Sequence, residues 1–263
     1  MNSFNNNSIV LTFDTDWAPD FAIRQAAELL ISKDIKCTWF ITHRSDYIEE
    51  LYRHKDIFEF GIHPNFFEDS TQGNNENEVL KYICSIVPEA KAVRTHALHQ
   101  SSRILSKMTD EFGIETDCSL LLYLTKDITP HRIYFRHNSR GIFRIPYFWE
   151  DDIHMYDPNP DWDIVSPVYH SNGLKIFNFH PLLTYLNSET MYSYENLKLK
   201  KSLPLIQEEE MDAYINKDNS KGAGVFLKKT IDFIKNNNIK TYTMADLKNQ
   251  YNNIKNLSLH NLC

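Results

Sequence analysis

Ile9-Val10-Leu11-Thr12-Phe13-Asp14-Thr15-Asp16 is the stretch on which the fold turns. Its first five residues are apolar or β-branched, the make-up of a short buried strand, and two acids follow at once. Pro19 then suits the first turn of a helix over 21–32, with Ala26, Leu29 and Leu30 on its inner face. The alternation continues outward from there. Cys37-Thr38-Trp39-Phe40-Ile41 reads as a second strand, 46–53 as helix, and 57–62 as a third strand ending at His63. A loop over 64–75 leads to a helix over 76–86, a short strand ending at Val93-Arg94, a helix over 102–112 and a strand over 114–118. Residues 119–141 fit no single element. Strands are expected over 141–146 and over 174–179, the latter running into His180. The polar stretch 184–220 reads as a long excursion with some helix. A helix over 223–236, a final strand Lys240-Thr241-Tyr242-Thr243 and a helix over 244–251 close the chain.

Strands alternating with helices imply an α/β fold with parallel strands and right-handed crossovers. The 263 residues show no internal repeat and no linker, so one domain over 1–263 is expected, with the motifs within 9–181. A single α/β barrel is typically about 250 residues.

Composition narrows the function classes. With 42% apolar and 24% charged residues the chain is globular rather than disordered. A net charge of −7 and the lack of basic runs argue against a general nucleic-acid binder. No apolar stretch is long enough to span a membrane. Residues 1–7 have neither a basic nor an apolar segment of the secretory kind, so a cytoplasmic protein is expected. Cys37, Cys84, Cys118 and Cys263 form no C-x-x-C, which excludes a cysteine zinc site and leaves reduced thiols. There is no G-x-S-x-G, Walker loop or G-x-G-x-x-G. Aromatics reach 13%, enough for a rich core or a sugar-stacking cleft.

The chemistry-bearing residues collect at strand ends. Asp14 and Asp16 follow the first strand, His63 the third, Arg94, His96 and His99 the next, Glu150, Asp151 and Asp152 the strand near 142–146, and His180 the strand over 174–179. In a parallel α/β barrel those ends share one face, the face that carries active sites. An Asp with two or three His suits a divalent ion such as zinc, which lowers the pKa of bound water to about 7 and polarises a carbonyl. Carboxylate and His neighbours supply base and acid. Metal-assisted hydrolysis of an acyl bond is the reaction class expected. Asp14 and Asp16 also fit a turn and helix cap, and Trp17, Tyr147 and Trp149 fit either a sugar-stacking surface or the core.

The motifs resemble a known family. Thr12-Phe13-Asp14-Thr15-Asp16 is similar to the first motif of the polysaccharide deacetylases, the NodB-type carbohydrate esterase family 4, usually T-F-D-D-G, here with D-x-D spacing. Phe60-Gly61-Ile62-His63 resembles the start of the second motif, H-x-x-x-H. Arg94-Thr95-His96 stands where R-x-P is expected. Phe148-Trp149-Glu150-Asp151-Asp152 resembles the aromatic-acidic fourth motif, and Phe177-Asn178-Phe179-His180-Pro181 the last. The divergent WbmS-like subgroup, associated with surface-polysaccharide gene clusters, is the nearest in character.

That resemblance implies a distorted (β/α)7 barrel that removes acetyl from an N-acetylated sugar, and the lack of a secretory-type segment in residues 1–7 leads us to expect a cytoplasmic substrate such as a nucleotide-linked or lipid-linked sugar. It implies Asp14 as general base, Asp16 and His63 as metal ligands, and His180 as general acid. Arg94 would orient Asp14 and be held in turn by Asp151, and a backbone N–H near Ala97 would meet the oxyanion. Zinc is the expected metal, with cobalt, nickel, manganese or iron as alternatives. Phe67 stands where the second motif has its second His, and phenylalanine cannot bind a metal. His96 is the first candidate for the third ligand, His99 the second, with Asn65 and Asp69 also open. The D-x-D spacing leaves open which aspartate is base and which is ligand. Trp17, Asn65, His99 and Trp149 are the expected substrate contacts. Hydrolysis of another N-acyl amide, formyl or peptide-like, and a degenerate barrel that binds glycan without turnover are the competing functions.

Overall fold

Among the described residues nine strands form one sheet, and nine α-helices accompany them. In chain order they are β1 (Ile9–Asp14), α1 (Asp20–Ser32), β2 (Cys37–Ile41), α2 (Asp46–Leu51), β3 (Phe58–Ile62), α3 (Glu76–Ile86), β4 (Ala92–Val93), α4 (Ser102–Glu111), β5 (Thr116–Asp117), β6 (His131–Phe135), β7 (Asn138–Arg144), β8 (Trp149–Glu150), α5 (Asp151–His154), β9 (Lys175–Phe179), α6 (Pro181–Tyr185), α7 (Tyr192–Lys200), α8 (Ala223–Asn236) and α9 (Met244–His260). The structure, a computed structural model, describes residues 8–136 and 138–260. Residues 1–7, His137 and Cys263 therefore lie outside the described residues.

The sheet order is β6-β7-β5-β4-β3-β2-β1-β9-β8, and every neighbouring pair is parallel except β6–β7. The edges β6 and β8 are not paired to each other, so the sheet curls into a half-barrel, the distorted barrel expected from the sequence. Alternation along β1 sends Thr12 and Asp14 to one face and Phe13 to the other, where Phe13 stacks on Trp39 and Phe179 at centroid distances of 4.5 and 5.7 Å. Helices cover that outer face through apolar stripes such as Ala22, Ile23, Ala26, Ala27 and Leu30 of α1. Among the described residues no helix is long and apolar enough to cross a membrane.

Two expectations change. The stretch 119–141 that fitted no element contains β6 and the start of β7, an antiparallel hairpin with a bulge near Ile133 and Phe135. Gly141 permits it: φ is +59°, and a Cβ there would collide with the Ile133 carbonyl oxygen. Lys240-Thr241-Tyr242-Thr243 is not a strand. Its polar groups have other partners: Thr241 Oγ1 accepts from Lys36 N–H at 3.1 Å, and Thr243 caps α9 by accepting from Asp246 N–H at 3.1 Å while its own N–H donates to Asp246 Oδ2 at 3.2 Å.

Candidate active site

Parallel strands deliver their last residues to one rim. β1 ends in Asp14, β3 leads to His63, β4 to Arg94, β8 through Glu150 to Asp151, and β9 to His180. Beyond β1 the backbone turns sharply, with φ of +40° at Asp16 and +54° at Trp17, a region that non-glycine residues rarely enter. The turn is closed by Ala18 N–H donating to the Thr15 carbonyl at 2.7 Å and by Trp17 N–H donating to Thr42 Oγ1 at 3.0 Å. His63 N–H donates to the Ile41 carbonyl at 2.8 Å, and His96 N–H to the Pro64 carbonyl at 2.9 Å. Buried Gln72 staples the loop beneath, donating to the carbonyls of Thr42 (2.8 Å) and His63 (3.1 Å) and accepting from Asn65 N–H (2.7 Å).

These pins converge three side chains. Asp16 Oδ1 lies 3.1 Å from His63 Nε2 and 3.2 Å from His96 Nδ1, and the two ring nitrogens are 3.3 Å apart. Tetrahedral zinc with bonds of about 2.0–2.1 Å separates its ligand atoms by roughly 3.3 Å. Asp16 Oδ1 is buried and makes no well-formed hydrogen bond, although two nitrogens face it. Three lone-pair atoms turned to one point, one of them unsatisfied, fit a divalent cation. Burial alone would raise the Asp16 carboxyl, but His63 and His96 outweigh it and hold it well below the usual range. His99 and Asp69 are exposed and stand outside this triangle, and the Asn65 amide oxygen is taken by Phe67 N–H at 3.0 Å.

Behind the triangle lies a second, fully buried group. Arg94 is sandwiched between the rings of Phe40 and Tyr147, 4.5 and 4.2 Å from their centroids. Its Nη1 donates to Asp14 Oδ1 at 3.0 Å, Thr12 Oγ1 at 3.0 Å and Asn178 Oδ1. Asp14 Oδ2 accepts from Asn178 Nδ2 at 2.9 Å, and Asp14 Oδ1 is 3.8 Å from His63 Nδ1. Asp151, expected to hold Arg94, instead holds His180: Oδ1 accepts from His180 Nδ1 at 2.6 Å and Oδ2 from the His180 backbone N–H at 2.9 Å. Arg94 is taken up by Asp14, Thr12 and Asn178, whereas Asp151 opens α5 directly after β8 and so meets His180 at the end of the adjoining β9. His180 Nε2 is thereby left facing the site, 3.6 Å from Asp16 Oδ2. Burial pulls the imidazole down, yet the charge and hydrogen bond of Asp151, with Asp152 and Asp16, hold it well above its usual range.

At the mouth, Trp17 sets its edge on His96 at 5.3 Å and donates from Nε1 to Thr71 Oγ1 at 3.1 Å. Phe67 is 47% exposed and lies 6.4 and 5.2 Å from the rings of His96 and His99. Trp149, expected against substrate, is fully buried among Phe177, Phe179 and Phe226, out of reach of any sugar. Tyr147 is likewise buried. Asn178 and Gln72 were not singled out from the sequence. A lone Asn inside Phe177-Asn178-Phe179 was the available signal for the first; nothing in its own stretch marked the second.

Residues 11–198 match a family model described as WbmS-like polysaccharide deacetylase. Among solved structures, the WbmS protein of Bordetella bronchiseptica, described as a polysaccharide deacetylase involved in O-antigen biosynthesis, is similar at 27% identity. The match covers 87% of this chain and 91% of that one, with a TM-score of 0.74. The peptidoglycan deacetylase PdaC from Bacillus subtilis shares the fold at 14% identity, over 98% of both chains, with a TM-score of 0.53. No curated protein matches the chain.

Proposed function

The chain belongs to the WbmS-like polysaccharide deacetylase family, and from that premise we propose that it removes the N-acetyl group from a sugar precursor of a surface polysaccharide by metal-assisted hydrolysis at this rim. The observation that carries the reading is the triangle of Asp16 Oδ1, His63 Nε2 and His96 Nδ1, with edges of 3.1 to 3.3 Å, beside Asp14 and His180. His96 takes the place that Phe67 vacates. When bound, a divalent cation such as zinc polarises the amide carbonyl and makes water more acidic.

The chain's own residues supply the proton transfers. Asp14, fixed by Arg94 and Asn178, accepts a proton from water as its oxygen attacks the carbonyl carbon. His180 Nε2 gives a proton to the amide nitrogen as the C–N bond breaks, releasing acetate and the amino sugar. Asp14 then yields its proton to solvent and His180 regains one. The Ala97 N–H, on the turn after His96, is the proposed donor to the oxyanion. Trp17, Asn65 and His99 are the proposed sugar contacts. The O-antigen role of the Bordetella protein supports a nucleotide- or lipid-linked sugar met in the cytoplasm.

The test is acetate release from UDP-N-acetylglucosamine and from a polyprenyl-diphosphate-linked N-acetylglucosamine, with metal analysis of the same samples. We expect about one divalent ion per chain, lost in Asp16→Ala and His63→Ala together with activity. Asp14→Asn should keep the ion and lose turnover; loss of the ion instead would exchange the roles of the two aspartates. A protein that binds these sugars equally well after Asp16→Ala and never releases acetate is a glycan-binding barrel.

A further inference from the structure

Glu150 takes no part in the steps above and Asn178 enters them only by touching Asp14, yet both stand directly behind that residue. Strand register sets them in one row, since Asn178 of β9 pairs with Thr12 of β1 on one side and with Glu150 of β8 on the other. Every hydrogen-bonding direction of the buried Asn178 amide is used. Oδ1 accepts from Thr12 Oγ1 at 2.9 Å and from Arg94 Nη1, while Nδ2 donates to Asp14 Oδ2 at 2.9 Å and Glu150 Oε1 at 2.8 Å. Arg94 can only donate, so it fixes which way the amide points. The amide hydrogens are thereby turned toward two carboxyls. Tyr147 hydroxyl, 2.9 Å from Glu150 Oε2, completes the surroundings of Glu150. Asp14 has Arg94 beside it, whereas Glu150 is hydrogen-bonded only to neutral groups among the described contacts. Two buried carboxyls bridged by one amide cannot both ionise cheaply. Burial, reinforced by Asp152 and Asp14, outweighs the opposing charges of His180 and Arg94 and pushes the Glu150 carboxyl up to about 8.

We propose that Asn178 and Glu150 are positioning residues for Asp14: Glu150 serves as a neutral carboxyl that anchors the Asn178 amide, and Asn178 holds the Asp14 carboxyl against Arg94 and beside His63. This rests on the deacetylase reading of the rim. Glu150→Ala should lower kcat, and Glu150→Gln, which keeps the shape and the neutrality, should restore most of it. Asn178→Ala should lower kcat by about 10- to 100-fold, the effect of losing a hydrogen bond to a charged group, with KM and metal content unchanged. Asn178→Ser serves if the alanine variant fails to fold. Glu150→Gln as inactive as Glu150→Ala, with metal retained, would overturn the proposal and make Glu150 a charged participant. Carbon NMR of protein labelled at glutamate carboxyls needs no substrate. The resonance missing from Glu150→Gln should be that of a protonated acid at pH 7, and an ionised one refutes the proposal. If the wild type releases no acetate from either probe, the deacetylase reading fails and this resonance still decides the state of Glu150.

Discussion

Asp151 spends both carboxylate oxygens on one residue. Oδ1 takes the ring Nδ1–H of His180 and Oδ2 takes its backbone N–H, which fixes the ring's orientation and tautomer and leaves only Nε2 free to exchange a proton with a substrate. Asp151→Asn removes the charge while keeping the shape. We expect kcat to fall by about 100- to 10,000-fold with metal content unchanged. The direction of the pH effect follows from the same contact. Asp151 holds the imidazolium up, so its loss lowers the proton affinity of His180, and the alkaline limb of the kcat profile should move to lower pH. A limb that stays in place would mean His180 is not the acid. The strand-end residues of this site, Asp14, Asp16, His63 and His180, were legible because acids and imidazoles directly after apolar runs are conspicuous. Their pairing was not: whether Asp151 meets Arg94 or His180 depends on the order of strands across the sheet, which no local pattern carries.

Element boundaries follow the same divide. Helices with clear apolar periodicity, such as α3 behind its Asn75 cap and α8 over Ala223–Asn236, were read close to their observed ends, the second without a side-chain cap. Tyr242 and its threonine neighbours have strand propensity, yet the segment sits at the opposite end of the sheet from the rim and serves to start α9. Met244 N–H donates to Thr38 Oγ1 at 3.0 Å and Ala245 N–H to Glu59 Oε2 at 2.9 Å, so the first amides of the helix are satisfied by β2 and β3 rather than by a new ladder. The order Thr243-Met244-Ala245-Asp246, a capping box with Asp in place of Glu, was the overlooked signal. Thr243→Ala should therefore cost about 1 kcal/mol. For a chain of this size that lowers the melting temperature by roughly 2–4 °C. Deacetylation should be unchanged, and a loss of activity at full stability would show that α9 reaches the rim.

Across the whole molecule, the parallel arrangement forces every crossover to begin at the same rim, so acids from β1, β8 and α5 accumulate there: Asp14, Asp16, Glu150, Asp151 and Asp152. The fold supplies partial compensation through Arg94 and His180, but Asp16 Oδ1 is left buried without a well-formed partner. His63 and His96 hold that carboxyl in its charged form, which offers a cation a negatively charged ligand atom. A cation that binds the native rim and not the unfolded chain stabilises by mass action, by about 4 kcal/mol at a thousandfold excess over its Kd. That corresponds to a rise in melting temperature on the order of 10 °C. Adding zinc to chelator-stripped protein should produce this rise, measured by circular dichroism, and a chelator should reverse it. Asp16→Ala and His63→Ala should abolish the response, whereas Asp14→Asn should retain it, because Asp14 faces Arg94 and Asn178 rather than the triangle. A wild-type protein whose melting temperature ignores zinc and every other divalent ion, or an Asp14→Asn variant that alone loses the response, would mean that the three converging side chains are a structural hydrogen-bond cluster and that the cation sits elsewhere or not at all.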